Sequence, residues 1–363
     1  MGIKDLYKFL STKHPECFIS TNFSSYRYKC LAIDMMNLLY IHKARNFREP
    51  KGWMKSIILF LVKLQNEYVH PICIFDGKSH PMKRQTIQKR RDDREKGLQN
   101  VINLQKSLEK YKSTKEIDES LKSFIDIKPE FISQLGNSIL VNRIEEHLQK
   151  QQHNYSLFFT HEEINGIKEF ISNMGINVID AKYDGEALCS YLNKIGKVDA
   201  VITNDSDAFF FGCNNVICKF IDDGGLLVNI NHLLEKLEIT HEQFIDLCIL
   251  CGTDFNESMK GCGFVRSLAL IQKYKNLDNP DLLEKITISK EVIHSVRNIS
   301  LLYDKECIDD YYSFNYNRQP NIHNINMLLF KNQINIPLEL FVYKYNTDIQ
   351  ILEDIENKMN FAD

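Results

Sequence analysis

Short apolar runs that stop at a carboxylate punctuate the first two-thirds of the chain. KCLAID ends on Asp34, HPICIFD on Asp76, and DAVITND on Asp205. Each is rich in Val, Ile, Phe or Cys and too short for a helix, so each predicts a buried strand followed by a loop. GINVID (175–180) and NVICKF (215–220) predict two further strands. The stretches 53–68, 163–174, 186–195 and 241–251 read as helices. Strands alternating with helices predict an α/β fold: a mainly parallel central sheet with helices on both faces. Ligands bind beyond the carboxyl ends of such strands, so three strands that each offer an Asp there propose a site.

Residues 84–160 break the alternation with a long, polar, helix-forming stretch that reads as an insertion or cap. Residues 264–363 are helix-rich and end in an Asn- and Ile-rich tail. No Pro- or Gly-rich linker separates the flanking parts, so both halves are expected in one sheet. The expected organisation is an N-terminal half (1–95), a helical insertion (96–160), an internal half (161–275) and a C-terminal helical region (276–363).

Composition narrows the class. Hydrophobic residues at 44% and charged residues at 26% are ordinary globular values and argue against a disordered chain. No run nears eighteen apolar residues, so no membrane span is expected. The start MGIKDLYKFL lacks a secretory h-region, and Leu6 spoils a myristoylation pattern. The net charge of −3 hides an asymmetry: residues 1–100 sum to +10 and the remainder to −13. A basic front and an acidic remainder suit a protein that grips an anion and holds cations. The ten cysteines are scattered, and the lone Cys-x-x-Cys at Cys248 and Cys251 lies in an apolar helical run. Both read as core residues in a reducing compartment rather than a zinc site.

Seven carboxylates stand at predicted strand or helix ends: Asp34, Asp76, Asp184, Glu186, Asp205, Asp207 and Asp254. Any one alone reads as a cap or turn residue. Together they cannot crowd into one site and stay ionised without cations, because like charges raise each other's pKa. Hard divalent ions take such oxygen ligands, and a pair of them suits phosphodiester hydrolysis. In KRQTIQKRRDDR (83–94), Lys83, Arg90 and Arg94 fall on one helical face, a stripe matched to phosphate; alone it reads equally as a solvated face, given Asp92, Asp93 and Glu95. Farther on, ESMKGCGFVRSLALIQKY (257–274) places Gly261 and Gly263 in a turn before a helix. Such a turn lets backbone amides approach a phosphate, or simply joins two helices tightly.

With these pieces in order, the chain resembles the flap-endonuclease and XPG family of structure-specific 5′ nucleases. The resemblance rests on the MGI start, AIDMMNLLY (32–40), IFDGKSHPMKRQTIQKR (74–90), DGEALCSYLNKIGKVDAVITNDSDAFFFG (184–212) and QFIDLCILCGTDFNESMKGCGFVRSLALI (243–271). It implies a PIN-like nuclease fold with a helical arch and a helix–two-turn–helix element. It implies that the seven carboxylates are metal ligands for two Mg²⁺ ions, replaceable by Mn²⁺. Lys83 and Arg90 match basic residues at the foot of the arch that contact the scissile phosphate, and Tyr40 matches an aromatic that stacks an unpaired base. Gly2 lies in an N-terminal segment near the active site. Ser258, Met259, Gly261, Cys262 and Gly263 match the duplex-binding turns, which use a potassium ion; Arg94 extends the basic stripe toward DNA.

Departures are visible. The family usually has Glu at Asp184 and Ala at Gly185, and 108 residues separate Asp76 from Asp184, which enlarges the arch. The tail lacks the Gln-containing pattern that engages a sliding clamp. Abundant Lys, Asn and Ile suit an AT-rich genome such as that of a large DNA virus. The expected activity is Mg²⁺-dependent hydrolysis of branched or flapped DNA near a single-strand/double-strand junction. Endonuclease and 5′ exonuclease action are both open, and a nuclear setting (the host nucleus for a virus) is expected, with a cytoplasmic replication site as the alternative. The rivals are a non-catalytic branched-DNA scaffold and a glycosyltransferase using Asp205-Ser206-Asp207 as an Asp-x-Asp motif.

Overall fold

A computed structural model of the chain describes residues 2–127, 138–155, 157–221, 223–304, 314 and 319–342. In chain order the elements are α1 (Leu6–Lys13), β1 (Ile19–Asn22), β2 (Cys30–Asp34), α2 (Met35–Arg45), α3 (Gly52–Asn66), β3 (His70–Phe75), α4 (Arg84–Thr114), α5 (Glu119–Ile127), α6 (Ser138–Tyr155), α7 (His161–Asn173) and β4 (Asn177–Asp180). There follow α8 (Gly185–Lys194), β5 (Ala200–Ile202), α9 (Asp207–Phe210), β6 (Asn215–Ile221), β7 (Gly224–Asn229), α10 (Ile230–Leu237), α11 (His241–Cys251), α12 (Phe264–Tyr274), α13 (Pro280–Leu283), α14 (Lys290–Ser300) and α15 (Ile322–Lys331).

One seven-stranded sheet runs β1-β7-β6-β5-β2-β3-β4. The pairings from β4 through β3, β2 and β5 to β6 are parallel; β7 and β1 are added antiparallel at one edge. The five strands expected from the sequence form the parallel part. Every residue of β2, β3 and β5 is buried, as strands covered on both faces require.

Alternation along these strands divides the interior. Cys30, Ala32, Ile72, Ile74, Val201 and Val216 face one core, with helices α8, α11 and α12. Leu31, Ile33, Cys73, Phe75, Ile202 and Ile217 face a second, with α3, α7 and α15. This period of two is what lets a five-residue strand hold two layers of helix at once. Cys248 and Cys251 are buried in α11 within the first core, so burial rather than metal binding accounts for their spacing.

The insertion is an arm of helices, with no strand among its described residues. Helix α4 spans 31 residues and packs along α6; the expected division at 95/96 therefore falls inside a single helix. Val101, Leu108, Tyr111, Leu121, Ile144 and Leu148 form a third small core separate from the other two. Gly97 leaves room for α6 against α4: a Cβ there would lie 2.2 Å from the Tyr155 ring.

One local expectation is corrected. Asp34 is not followed by a loop, because α2 begins at Met35 and the Asp34 carboxylate caps it, accepting from the Asn37 amide.

Candidate metal centre

The carboxyl ends of the parallel strands converge on one acidic cup. Asp34 closes β2; its Oδ1 accepts from the Asn37 amide at 3.2 Å, and its Oδ2 from Thr203 Oγ1 at 3.0 Å. Thr203 follows β5, and its hydroxyl also accepts from the Asp205 amide at 3.0 Å. A single threonine thus joins two strand ends. Asp205 Oδ1 accepts from the Asp207 amide at 3.2 Å, fixing the turn into α9.

Asp76 follows β3 at the open mouth of the cup, and its Oδ1 accepts from the Gly185 amide at 2.8 Å. Gly77 makes that approach possible. Its amide donates to the Tyr183 carbonyl at 2.7 Å, and a Cβ there would lie 1.9 Å from the Ala181 carbonyl oxygen. Asp184 precedes α8 and Glu186 lies in its first turn. Gly2, at φ +88°, packs where a Cβ would lie 2.2 Å from Asp205 Oδ1.

Oxygens of Glu186, Asp205 and Asp207 lie within 4.8 Å of one another. Burial raises the pKa of all three, and neighbouring charge adds to it: Asp205 and Asp207 act on Glu186, Asp205 and Asp254 on Asp207, and Asp254 on Asp205. Asp34 is pushed up to about 7 by burial and then by Asp76. The buried oxygens Asp184 Oδ2, Glu186 Oε1 and Asp207 Oδ1 have no hydrogen-bond partner among the described residues. Unsatisfied buried carboxylate oxygens are costly. An all-oxygen donor set with several of them inward-facing fits hard divalent cations.

The gate is basic. Lys83 Nζ lies 2.9 Å from Asp184 Oδ1 and 3.6 Å from Asp254 Oδ2. Burial alone would depress this ammonium, but Asp184 and Asp254 outweigh it and raise its pKa. Arg90, two turns along α4, pairs with Asp254 Oδ1, and Thr86 Oγ1 donates to the Asp254 carbonyl at 2.8 Å. The foot of α4 is therefore fastened to the rim of the cup at three residues.

The remaining sequence-predicted residues lie outside the cup. Arg94 is exposed and has no ion-pair partner among the described residues. Tyr40 on α2 is half-buried and meets Phe159 edge-to-face at 5.4 Å. Between α11 and α12, the Met259 amide donates to the Leu250 carbonyl at 3.1 Å and the Cys262 amide to the Met259 carbonyl at 3.1 Å. Ser258 and Gly263 are exposed, and Gly261 adopts φ +71°. Cys262 is buried with its thiol 3.3 Å from Ser267 Oγ, so its side chain serves the turn and is not on the surface. Thr203, Gly77 and Thr86 were not singled out in the sequence, since a lone Thr or Gly carries no signal of its own; Thr203 and Gly77 at least stand beside strand-terminal acids, whereas Thr86 lies inside α4.

A doubly covered, mainly parallel sheet with an acidic cup at its strand ends and a basic helix at the rim defines a PIN-like nuclease. Residues 1–97 match the XPG N-terminal domain and residues 175–254 the XPG I-region. Probable RAD2-like endonuclease 369L of Invertebrate iridescent virus 6 is 29% identical over 377 residues, 93% of this chain and 90% of that protein. Flap endonuclease 1 of Entamoeba histolytica is 28% identical over 295 residues, 77% of this chain and 69% of that protein. Among solved structures, the catalytic core of Rad2 in complex with DNA substrate shares the fold at a TM-score of 0.59 and 19% identity, over 98% of this chain and all of that one. The chain thus carries the XPG N-terminal domain and I-region and is similar to flap endonucleases and RAD2-like endonucleases, which act on DNA.

Proposed function

We propose that this chain is a Mg²⁺-dependent, structure-specific 5′ nuclease that hydrolyses DNA phosphodiester bonds near single-strand/double-strand junctions. The observation that carries this reading is the buried, partly unsatisfied carboxylate cup facing Lys83 and Arg90 across its rim. Divalent cations bound there would supply Lewis acidity to the attacking water and the leaving oxygen.

The chain's own residues do the rest. Asp34, Asp76, Asp184, Glu186, Asp205, Asp207 and Asp254 hold the cations; Mn²⁺ substitutes for Mg²⁺ because every donor is an oxygen. Lys83 and Arg90 take the non-bridging oxygens of the scissile phosphate and stabilise the charge that grows on them. Their ion pairs with Asp184 and Asp254 hold both at the rim before substrate arrives. Tyr40, braced by Phe159, offers a ring face to an unpaired base, a contact of ~1–3 kcal/mol that is indifferent to sequence. The 258–263 turns take the duplex backbone, with K⁺ as the ion they would share with it.

Incubating the protein with labelled flap, nick, gap, bubble and four-way substrates, with and without Mg²⁺ or Mn²⁺, tests this. Metal-dependent cutting at a defined position beside a junction is expected. Absence of cutting on every branched substrate in both metals overturns it.

A further inference from the structure

Asp76 and Asp184 are held by one doubled loop. Residues 181–185 are fastened to the end of β3 by a short ladder. The Ala181 amide donates to the Phe75 carbonyl at 2.9 Å, the Lys78 amide to the Lys182 carbonyl at 3.2 Å and the Gly77 amide to the Tyr183 carbonyl at 2.7 Å. The Gly185 amide closes it on Asp76 Oδ1 at 2.8 Å. The Tyr183 amide takes no part in that ladder. It donates instead to the hydroxyl of Tyr303, at 3.1 Å.

Tyr303 comes from a distant part of the chain. It lies just past α14, 120 residues from Tyr183, and outside both stretches that match the XPG domains. It is buried, with its ring 6.5 Å from that of Tyr183 and 6.2 Å from that of Tyr191. The next residue, Asp304, pairs with Lys194 at 2.6 Å. Tyr191 and Lys194 stand in the second half of α8, whose first turn carries Glu186. The segment after α14 thus grips α8 near its end and, through one hydroxyl, the loop before its start.

A main-chain amide shielded from water needs an acceptor, and here a phenol supplies it. Without that acceptor the loop is held from the β3 side alone. Asp184 is the next residue along; its Oδ1 pairs with Lys83, and its Oδ2 is one of the buried oxygens without a hydrogen-bond partner among the described residues. Bonds that orient a metal-binding carboxylate govern the affinity of its site, although they never touch the ion.

We infer that Tyr303 is a positioning residue for the metal centre: its hydroxyl, acting through the Tyr183 amide, sets where Asp184 and Asp76 stand toward the divalent cations. This deepens the nuclease reading and rests on it. The hydroxyl carries the role and the ring does not, because the ring packs in the first core, a place that Phe fills equally well.

Tyr303→Phe in the full chain tests this. Calorimetric titration with Mg²⁺ and with Mn²⁺, without DNA, is expected to show roughly tenfold weaker binding than wild type. Hydrogen exchange in EDTA should be faster at the Tyr183 amide. The melting temperature in EDTA and the affinity for a flap substrate in EDTA should change little. Single-turnover cleavage should need correspondingly more Mg²⁺ for its half-maximal rate and approach the wild-type rate at saturation. A scaffold role would instead lower the melting temperature and leave metal affinity where it was. That result overturns the inference, as does a variant that no longer melts cooperatively. Wild-type protein that binds neither ion overturns the nuclease reading and this inference with it; wild-type binding that Tyr303→Phe does not weaken overturns the inference alone.

Discussion

Lys83 Nζ stands 2.9 Å from Asp184 Oδ1, and this contact ties the foot of α4 to the start of α8 across the mouth of the acidic cup. The lysine neutralises part of a carboxylate cluster while remaining at the position where a phosphate would arrive. Removing it should therefore be felt twice. Lys83→Ala is expected to lower metal-free stability by roughly 3 kcal/mol, since it strands buried carboxylates without their cation. It should also reduce turnover roughly a hundredfold with little change in affinity. Denaturant melts in EDTA and single-turnover cleavage of a flap substrate check the two effects, and Lys83→Arg should recover stability better than rate.

Replacing a carboxylate of the cup should act in the opposite sense on the metal-free protein. Asp207→Asn removes one charge from a buried group of three that repel one another, so the melting temperature in EDTA should rise. The same variant should lose the extra stability that wild type gains from saturating Mg²⁺, about 2.7 kcal/mol at a hundredfold excess over Kd. Cleavage should vanish while junction binding persists. Thermal melts across a Mg²⁺ titration, beside a binding assay, separate these outcomes.

Gly77 tests how the cup is braced. Its missing side chain lets the loop after β3 lie against the Ala181 carbonyl, which keeps Asp76 in reach of the Gly185 amide. Gly77→Ala should push the two loops apart, weaken Mg²⁺ binding at least tenfold and leave most of the sheet folded. Calorimetric Mg²⁺ titration alongside far-UV circular dichroism reports both; unchanged metal affinity would remove Gly77 from this role.

A pH dependence follows from a histidine far from the chemistry. His70 begins β3, and burial lowers its pKa to about 4 from 6.5. The folded state holds it neutral while the unfolded chain takes up a proton below 6.5. Its contribution is complete above that value and is lost as pH falls toward 4, roughly 3 kcal/mol in all. Relative to His70→Gln, wild type should lose roughly 2 kcal/mol between pH 7 and pH 5. Denaturation midpoints of the pair at both pH values measure this.

The parallel strands were legible because burial on both faces leaves them almost purely apolar, and each ended at an acid that the sheet then gathers. β1 and β7 were not. Ile19–Asn22 is an edge strand with three exposed residues, and β7 opens with Gly224 and Gly225 beside an irregular register with β6. Neither carries a strand pattern, since edge pairing is decided by the neighbour. The acids could be nominated from position in the chain, but their grouping depended on Thr203 and Gly77, whose effect is purely spatial. The basic face was read as three residues in line. The structure brings Lys83 and Arg90 to the cup and leaves Arg94 beyond it, because two helical turns are all that the rim spans.

The arm built from α4 and α6 owns its hydrocarbon. Val101, Leu108, Tyr111, Leu121, Ile144 and Leu148 touch one another and belong to neither layer beside the sheet. Damage to that cluster is consequently a local affair: a polar residue at Ile144 would melt the outer arm and leave the strands, with every carboxylate they carry, standing where they were. The chain has in effect separated the part that can come apart by itself from the part that must hold its shape.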